Sequence, residues 1–216
     1  MRADFHAELG HFRVELAEMC DLAADAMERA VRALLDLDLS LAEQVITDDA
    51  ELDRRAARCD EHARTLLALQ SPVARDLRIV VSGIRAAERI NRMGDLARHV
   101  AEIARRRHPH PAVPDELVPG FAEMGRLAVA AARATRYAMT ASEETHADAQ
   151  DRADDQTDRL RRELLTRVGR PEAGFSVQAG IDVALLTRYV ERFADQSVQV
   201  TRQVDYVVTG ESPHPS

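Results

Sequence analysis

An all-α protein, built as two tandem antiparallel three-helix bundles related by an internal two-fold repeat, is what this sequence predicts. Three observations carry that expectation. Charged residues make up 31 % of the 216 positions and aromatic ones 4 %, with no Trp. Ala, Leu, Arg, Glu and Asp predominate, a composition suited to long helices rather than β-sandwich cores, which draw on aromatic and β-branched side chains. Apolar residues recur at alternating spacings of three and four, the period of a helix with one buried face. Finally, Asn91-Arg92-Met93-Gly94-Asp95 and Glu191-Arg192-Phe193-Ala194-Asp195 present one design twice, one hundred positions apart. In each, two oxygen-bearing side chains stand four residues apart, on one face of a helix and one turn apart.

Taken in order, Phe5, Leu9, Phe12, Leu16, Met19 and Ala23 form a stripe continued by Met27, Ala30 and Leu34, which predicts a long first helix. Ser40-Leu41-Ala42-Glu43 has capping-box form and predicts a second helix from near Leu41 to about Gln70. Ser71-Pro72 reads as the N-cap and first turn of a third, ending near Arg107. Pro109, Pro111 and Pro114 cannot continue a helix. They divide the chain into a first repeat (1–107), a proline-rich linker (108–114) and a second repeat (115–210), followed by a polar tail (211–216). The second repeat is expected to hold helices over 115–141, from a Ser142 cap to about Val168, and from a Ser176 cap to about Val208. Short connections favour antiparallel neighbours.

A net charge of −8 argues against a general nucleic-acid binder, which needs positive surface to displace counterions. No apolar run approaches the ~18 residues of a membrane span, and the start lacks a signal-peptide core. Cys20 and Cys59 form no CxxC and are expected to be reduced thiols. These features together predict a cytoplasmic protein.

The second helices carry a matching pair of motifs. Asp49 and Asp53 precede Arg54, and Asp154 and Asp158 precede Arg159. Asp53 lies 18 positions before Ser71 and Asn91 lies 20 after it; Asp158 lies 16 before Gly174 and Glu191 lies 17 after it. In an antiparallel hairpin these distances bring the motifs to the same height. Four oxygen-bearing groups gathered there repel one another unless they are solvated, paired with the interleaved Arg54, Arg92, Arg159 and Arg192, or neutralised by a cation. Oxygen ligands without Cys or converging His suit hard ions. The plain alternative is a solvated helix face, common in a chain with 37 acidic residues.

The duplicated motif resembles the Glu-Arg-Ile-Gly-Asp signature of the PhoU family, and Pro72-Val73-Ala74-Arg75-Asp76-Leu77-Arg78 resembles that family's Pro-x-x-x-Asp-Leu-Arg start to the third helix. The likeness spans roughly Phe5 to Glu211 and is nearest the actinobacterial PhoY branch. It implies a cytoplasmic, non-enzymatic adaptor of phosphate homeostasis. Such an adaptor restrains the phosphate-specific ABC importer and the phosphate-starvation two-component response when phosphate is abundant. The implied partners are a PAS-containing sensor histidine kinase, the transporter ATPase and a second copy of the chain. The resemblance also implies metal binding, by iron, Mn, Mg or Ca, with no organic cofactor. Carried over, the second site is Asp154, Asp158, Glu191 and Asp195, and the first is Asp49, Asp53, Asn91 and Asp95. Asn91 stands where the family usually has Glu, which removes one negative charge and weakens the first site. Asp48 and Glu88 are candidates to compensate.

His99, one turn past Asp95, is a further ligand candidate, though Gln199 occupies the matching place in the second repeat. Arg105-Arg106-Arg107 offers either a surface for an anionic partner or a complement to the helix dipole. Two rival readings remain. One is a ferritin-like di-iron oxidase using Glu8-x-x-His11 and Glu143-x-x-His146, whose spacing fits but whose depth does not. The other is a metal-free helical scaffold.

Overall fold

The computed structural model describes residues 2–141, 147–170, 172 and 174–211. Six long helices follow one another among the described residues: α1 (Arg2–Leu35), α2 (Leu39–Gln70), α3 (Ala74–Arg107), α4 (Val118–Thr140), α5 (Ala147–Val168) and α6 (Val177–Thr209), with a 3₁₀ turn at Asp115–Leu117 before α4. The all-helical, twice-three-helix design expected from the sequence is present. The stripe from Phe5 to Leu34 is buried along its length.

Helix boundaries differ from the sequence reading in informative ways. Asp38, rather than Ser40, caps α2 by accepting from the Leu41 amide at 3.0 Å, so Ser40 falls inside the first turn. Ser71 does not start α3; with φ 43° it ends α2 in the left-handed conformation, and α3 begins at Ala74 after an extended Val73. The Ser71-Pro72 pair therefore makes the turn itself. Ser176 does cap α6, accepting from the Ala179 amide at 3.1 Å. The expected Ser142 cap lies outside the described residues.

α1, α3, α4 and α6 form a central layer in which α1 packs on α3 and α4, and α6 packs on α3 and α4; α2 covers α1 and α3, while α5 covers α4 and α6. The buried apolar side chains of both repeats join in one continuous core. This explains why α3 carries buried residues on so much of its circumference, from Val80 to Ile103, whereas α2 and α5 keep charged outer faces. Polar ties also cross between repeats. Arg106 and Arg107 reach the fully buried Asp182 at 3.5 and 3.2 Å, so part of the basic run serves an internal acid. Within the second repeat, Thr135 Oγ1 of α4 meets Thr201 Oγ1 of α6 at 3.1 Å in the core. Among the described residues no helix is long and apolar enough to cross a membrane.

Candidate functional site

The first repeat brings its four predicted residues together, but around an arginine. α2 supplies Asp49 and Asp53, α3 supplies Asn91 and Asp95, and Arg98 of α3 reaches between them. Its Nε donates to Asp49 at 2.7 Å, Nη2 to Asp95 at 2.9 Å and Nη1 to Glu102 at 2.6 Å. Beside it, the Asn91 amide donates to Asp53 at 2.9 Å, so the neutral residue offers a hydrogen rather than an oxygen to its neighbour. The Asp49 side chain is only 13 % exposed. Burial pushes its carboxyl above the usual range, Arg98 pulls the other way, and the carboxylates of Asp95 and Asp53 raise it again. Hydrogen bonding, first of all to Asp95, raises the Arg98 pKa further. Gly94 permits this approach: a Cβ there would stand 2.4 Å from Leu52 Cδ2 and 3.1 Å from Asp49 Oδ1.

A single guanidinium bonded to three carboxylates offsets one of their negative charges and ties the two helices together. The acids proposed to compensate for Asn91 are engaged elsewhere: Asp48 with Arg29 and Glu88 with Arg92, each at 2.7 Å. The interleaved Arg54 also turns away, to Glu51, whose carboxyl Arg54 and Arg55 hold down at about 2.

In the second repeat, Glu191 is the buried member, its side chain 10 % exposed. Arg188, one turn earlier on α6, donates to both its oxygens at 2.8 and 2.7 Å. Burial raises the Glu191 pKa and the Asp195 carboxylate adds to that, while Arg188 and Arg161 of α5 pull it down. Asp158 and Asp195 are half-buried. The side chain of Asp154 lies outside the described residues. Among the described residues no three His, Cys, Asp or Glu side chains converge closely enough to hold a metal ion.

The other candidates separate from this face. His99 packs its ring on Tyr189 of α6, with centroids 5.1 Å apart, and so belongs to the junction between repeats. Of the di-iron set, Glu8 lies 3.3 Å from His62 while His11 is exposed; Glu143 and His146 fall outside the described residues. Arg98, the hub of the first acid cluster, is the one residue of that cluster's centre not singled out from the sequence. Its spacing of three from Asp95 and four from Glu102 was a usable signal.

The chain as a whole is similar to known proteins. The phosphate-specific transport system accessory protein PhoU homolog 2 of Mycobacterium tuberculosis is 47 % identical over 213 residues, covering 99 % of this chain and 100 % of that protein. This chain belongs to the PhoU family. The PhoU domain family model matches residues 16–104, most of the first repeat. PhoU homolog 1 of Mycobacterium leprae is 46 % identical, over 99 % of this chain and 96 % of its own. Among solved structures, the PhoU phosphate transport system regulatory protein of Streptococcus pneumoniae superposes with a TM-score of 0.85 at 22 % identity, covering 98 % of this chain and 100 % of that one. PhoU from Pseudomonas aeruginosa gives 0.77 at 25 %, covering 96 % and 100 %. The six-helix arrangement described above is thus the PhoU fold.

Proposed function

We propose that this protein is a phosphate transport accessory protein that regulates phosphate uptake as an adaptor rather than an enzyme. The observation that carries this reading is near-full-length identity of 47 % to a PhoU homolog named for the phosphate-specific transport system. In the finer form of the proposal, it restrains the phosphate ABC importer and the phosphate-starvation two-component response when phosphate is plentiful. It does so in the cytoplasm, as a homodimer that contacts the transporter ATPase or a PAS-containing sensor histidine kinase. Deleting the gene should switch on phosphate-responsive transcription in phosphate-rich medium. Unchanged transcription under excess phosphate would sink the proposal.

For the acid clusters, the geometry supports different roles in the two repeats. In the first repeat Arg98 takes up oxygens of Asp49 and Asp95, so the proposed role of that cluster is to fasten α2 to α3, with the weaker claim to a cation. The proposed cation site, for iron, Mn, Mg or Ca, is that of the second repeat, with Asp154, Asp158, Glu191 and Asp195 as donors of hard oxygen ligands. Glu191→Ala combined with Asp195→Ala should lower the metal content of ion-loaded protein more than Asn91→Ala does. Equal losses, or no metal in the parent protein, would count against it.

A further inference from the structure

At the junction of the repeats, away from both acid clusters, α1, α3 and α6 leave a cleft closed at one side by the end of α4. Its cavity volume is about 80 Å³. Leu16, Ile79, Met139, Val204 and Val207 give it apolar walls. The cleft exists because α3 presents small residues here, Ser82, Gly83 and Ala86. At Gly83 the approach of α1 is so close that a Cβ would meet the Phe12 ring at 2.2 Å.

Two features set the cleft apart from an ordinary packing gap. Ser82 and Gln203, 3 % and 6 % exposed, both line it, and Ser82 Oγ and Gln203 Oε1 have no hydrogen-bond partner among the described residues. Buried polar atoms left unpaired are uncommon and costly, and two lining one cleft point to a polar group that belongs between them. The cleft is also cationic. Arg13 donates Nε and Nη2 to the Met139 carbonyl, at 3.1 and 2.7 Å, and Nη2 to that of Ala141 at 3.1 Å; Nη1 makes none of these contacts. Arg75, exposed at the mouth, forms no ion pair with any described residue, although many arginines of this chain do. Burial and the neighbouring Arg75 charge lower the Arg13 pKa, as expected of a cation that forms no ion pair with any described residue.

We infer that this cleft is a binding site for a small amphiphilic anion: a carboxylate-class head group held by Arg13, Arg75, Ser82 and Gln203, with an apolar tail against α3 and α6. Arg13 and Arg75 supply charge-assisted donors. The Ser82 hydroxyl can donate to the head group as well, and the Gln203 amide, whose oxygen and nitrogen can exchange places by rotation, can do the same. The valine and isoleucine wall leaves the tail no polar partner, so chain length should govern affinity. This inference stands apart from the phosphate-regulation reading and from the acid clusters.

The test is calorimetric titration of the full-length protein with octanoate, hexanoate, octanol, octylammonium and inorganic phosphate. Octanoate should bind saturably at one site per chain. Hexanoate, two methylenes shorter, should bind about fifteenfold more weakly, since each buried methylene contributes about fourfold. Octanol, octylammonium and phosphate should each bind at least about tenfold more weakly than octanoate, having lost the charge, inverted it or lost the tail. Arg75→Glu should weaken octanoate about tenfold, and Val207→Trp should abolish binding by filling the cleft. Because Arg75 is exposed, its variant decides the matter even if Val207→Trp fails to fold. In amide NMR, the Gln203 side-chain signals should shift on octanoate addition. Absence of saturable octanoate binding, binding unchanged by Arg75→Glu, or octanol or phosphate binding as tightly as octanoate would each overturn the inference.

Discussion

The two acid faces of this protein descend from one design and solve the same electrostatic problem differently. In the first repeat the balancing charge comes from Arg98, three residues after Asp95, and its guanidinium crosses from α3 to Asp49 of α2. The matching position in α6 is Val198, which is buried in the core. There the balancing charge comes from Arg188, three residues before Glu191 on the same helix, with Arg161 of α5 assisting from across. One arginine bridges two helices; the other serves its own. The lesson is that a repeated ligand motif does not ensure a repeated site. The residue one turn away decides whether the balancing charge reaches the neighbouring helix or stays on its own.

Removing the bridge is the strongest way to break this contrast. Arg98→Ala strands Asp49, which is largely buried, together with Asp95 and Glu102, and should cost about 2 kcal/mol in urea denaturation. The same variant should gain thermal stabilisation from Mn²⁺ beyond that of the parent, because the acids then lack their internal cation. If Mn²⁺ affects both proteins alike, the arginine is not standing where a cation would.

A smaller effect is expected at the helix contact beneath the site. Gly94→Ala pushes on Leu52 Cδ2 and on Asp49 and should cost about 1 kcal/mol, offset in part by the better helix propensity of alanine. The second repeat already has Ala194 in the matching place, buried at 2 %. Ala194→Gly should cost about 1 kcal/mol through propensity and lost burial. Equal responses to both exchanges in the Gly-to-Ala direction, tested by inserting Ala194→Gly and then reverting it, would show that α2 and α5 sit equally close.

The smallest effect is one of pH. Glu191 has a folded-state pKa raised above its unfolded value, mainly by burial. Its contribution to stability is therefore fully present below the ordinary glutamate range and is lost as pH rises through the folded pKa. Glu191→Gln, which mimics the protonated state, should gain stability relative to the parent as pH rises from acid to neutral. Thermal melts at several pH values measure this. A difference independent of pH would mean that Arg188 and Arg161 fully compensate the burial.

Much of this was readable from residues alone, for identifiable reasons. The stripe from Phe5 to Leu34 obeys the helical period, and every member named is buried. The depth of Asp53 and Asn91 on either side of the Ser71 turn follows from a fixed rise per residue, and the two side chains do hydrogen-bond. The Ser40 and Ser71 caps were misread because several polar residues near a helix end compete for one role. Asp38 wins at α2, and at Ser71 the left-handed backbone makes the serine an ending rather than a beginning. Arg54 and Arg92 were plausible partners for the acids by sequence adjacency, yet neighbouring residues on a helix point in different directions. They pair with Glu51 and Glu88 instead.

What the sequence determined by itself is therefore what depends on local period and on duplication: six helices, two repeats, and, in the first repeat, Asp53 and Asn91 at matched height. Tertiary structure alone decided which charges meet across helices. It placed Arg98 between α2 and α3, buried Asp182 against Arg106 and Arg107, turned His99 toward Tyr189, and opened a cleft beside Ser82 and Gln203 where the repeats join. The physical reason is one of range. Helical period and capping act over a few residues, whereas the desolvation and pairing of a charge depend on which helix face arrives opposite it, and only the packed core sets that.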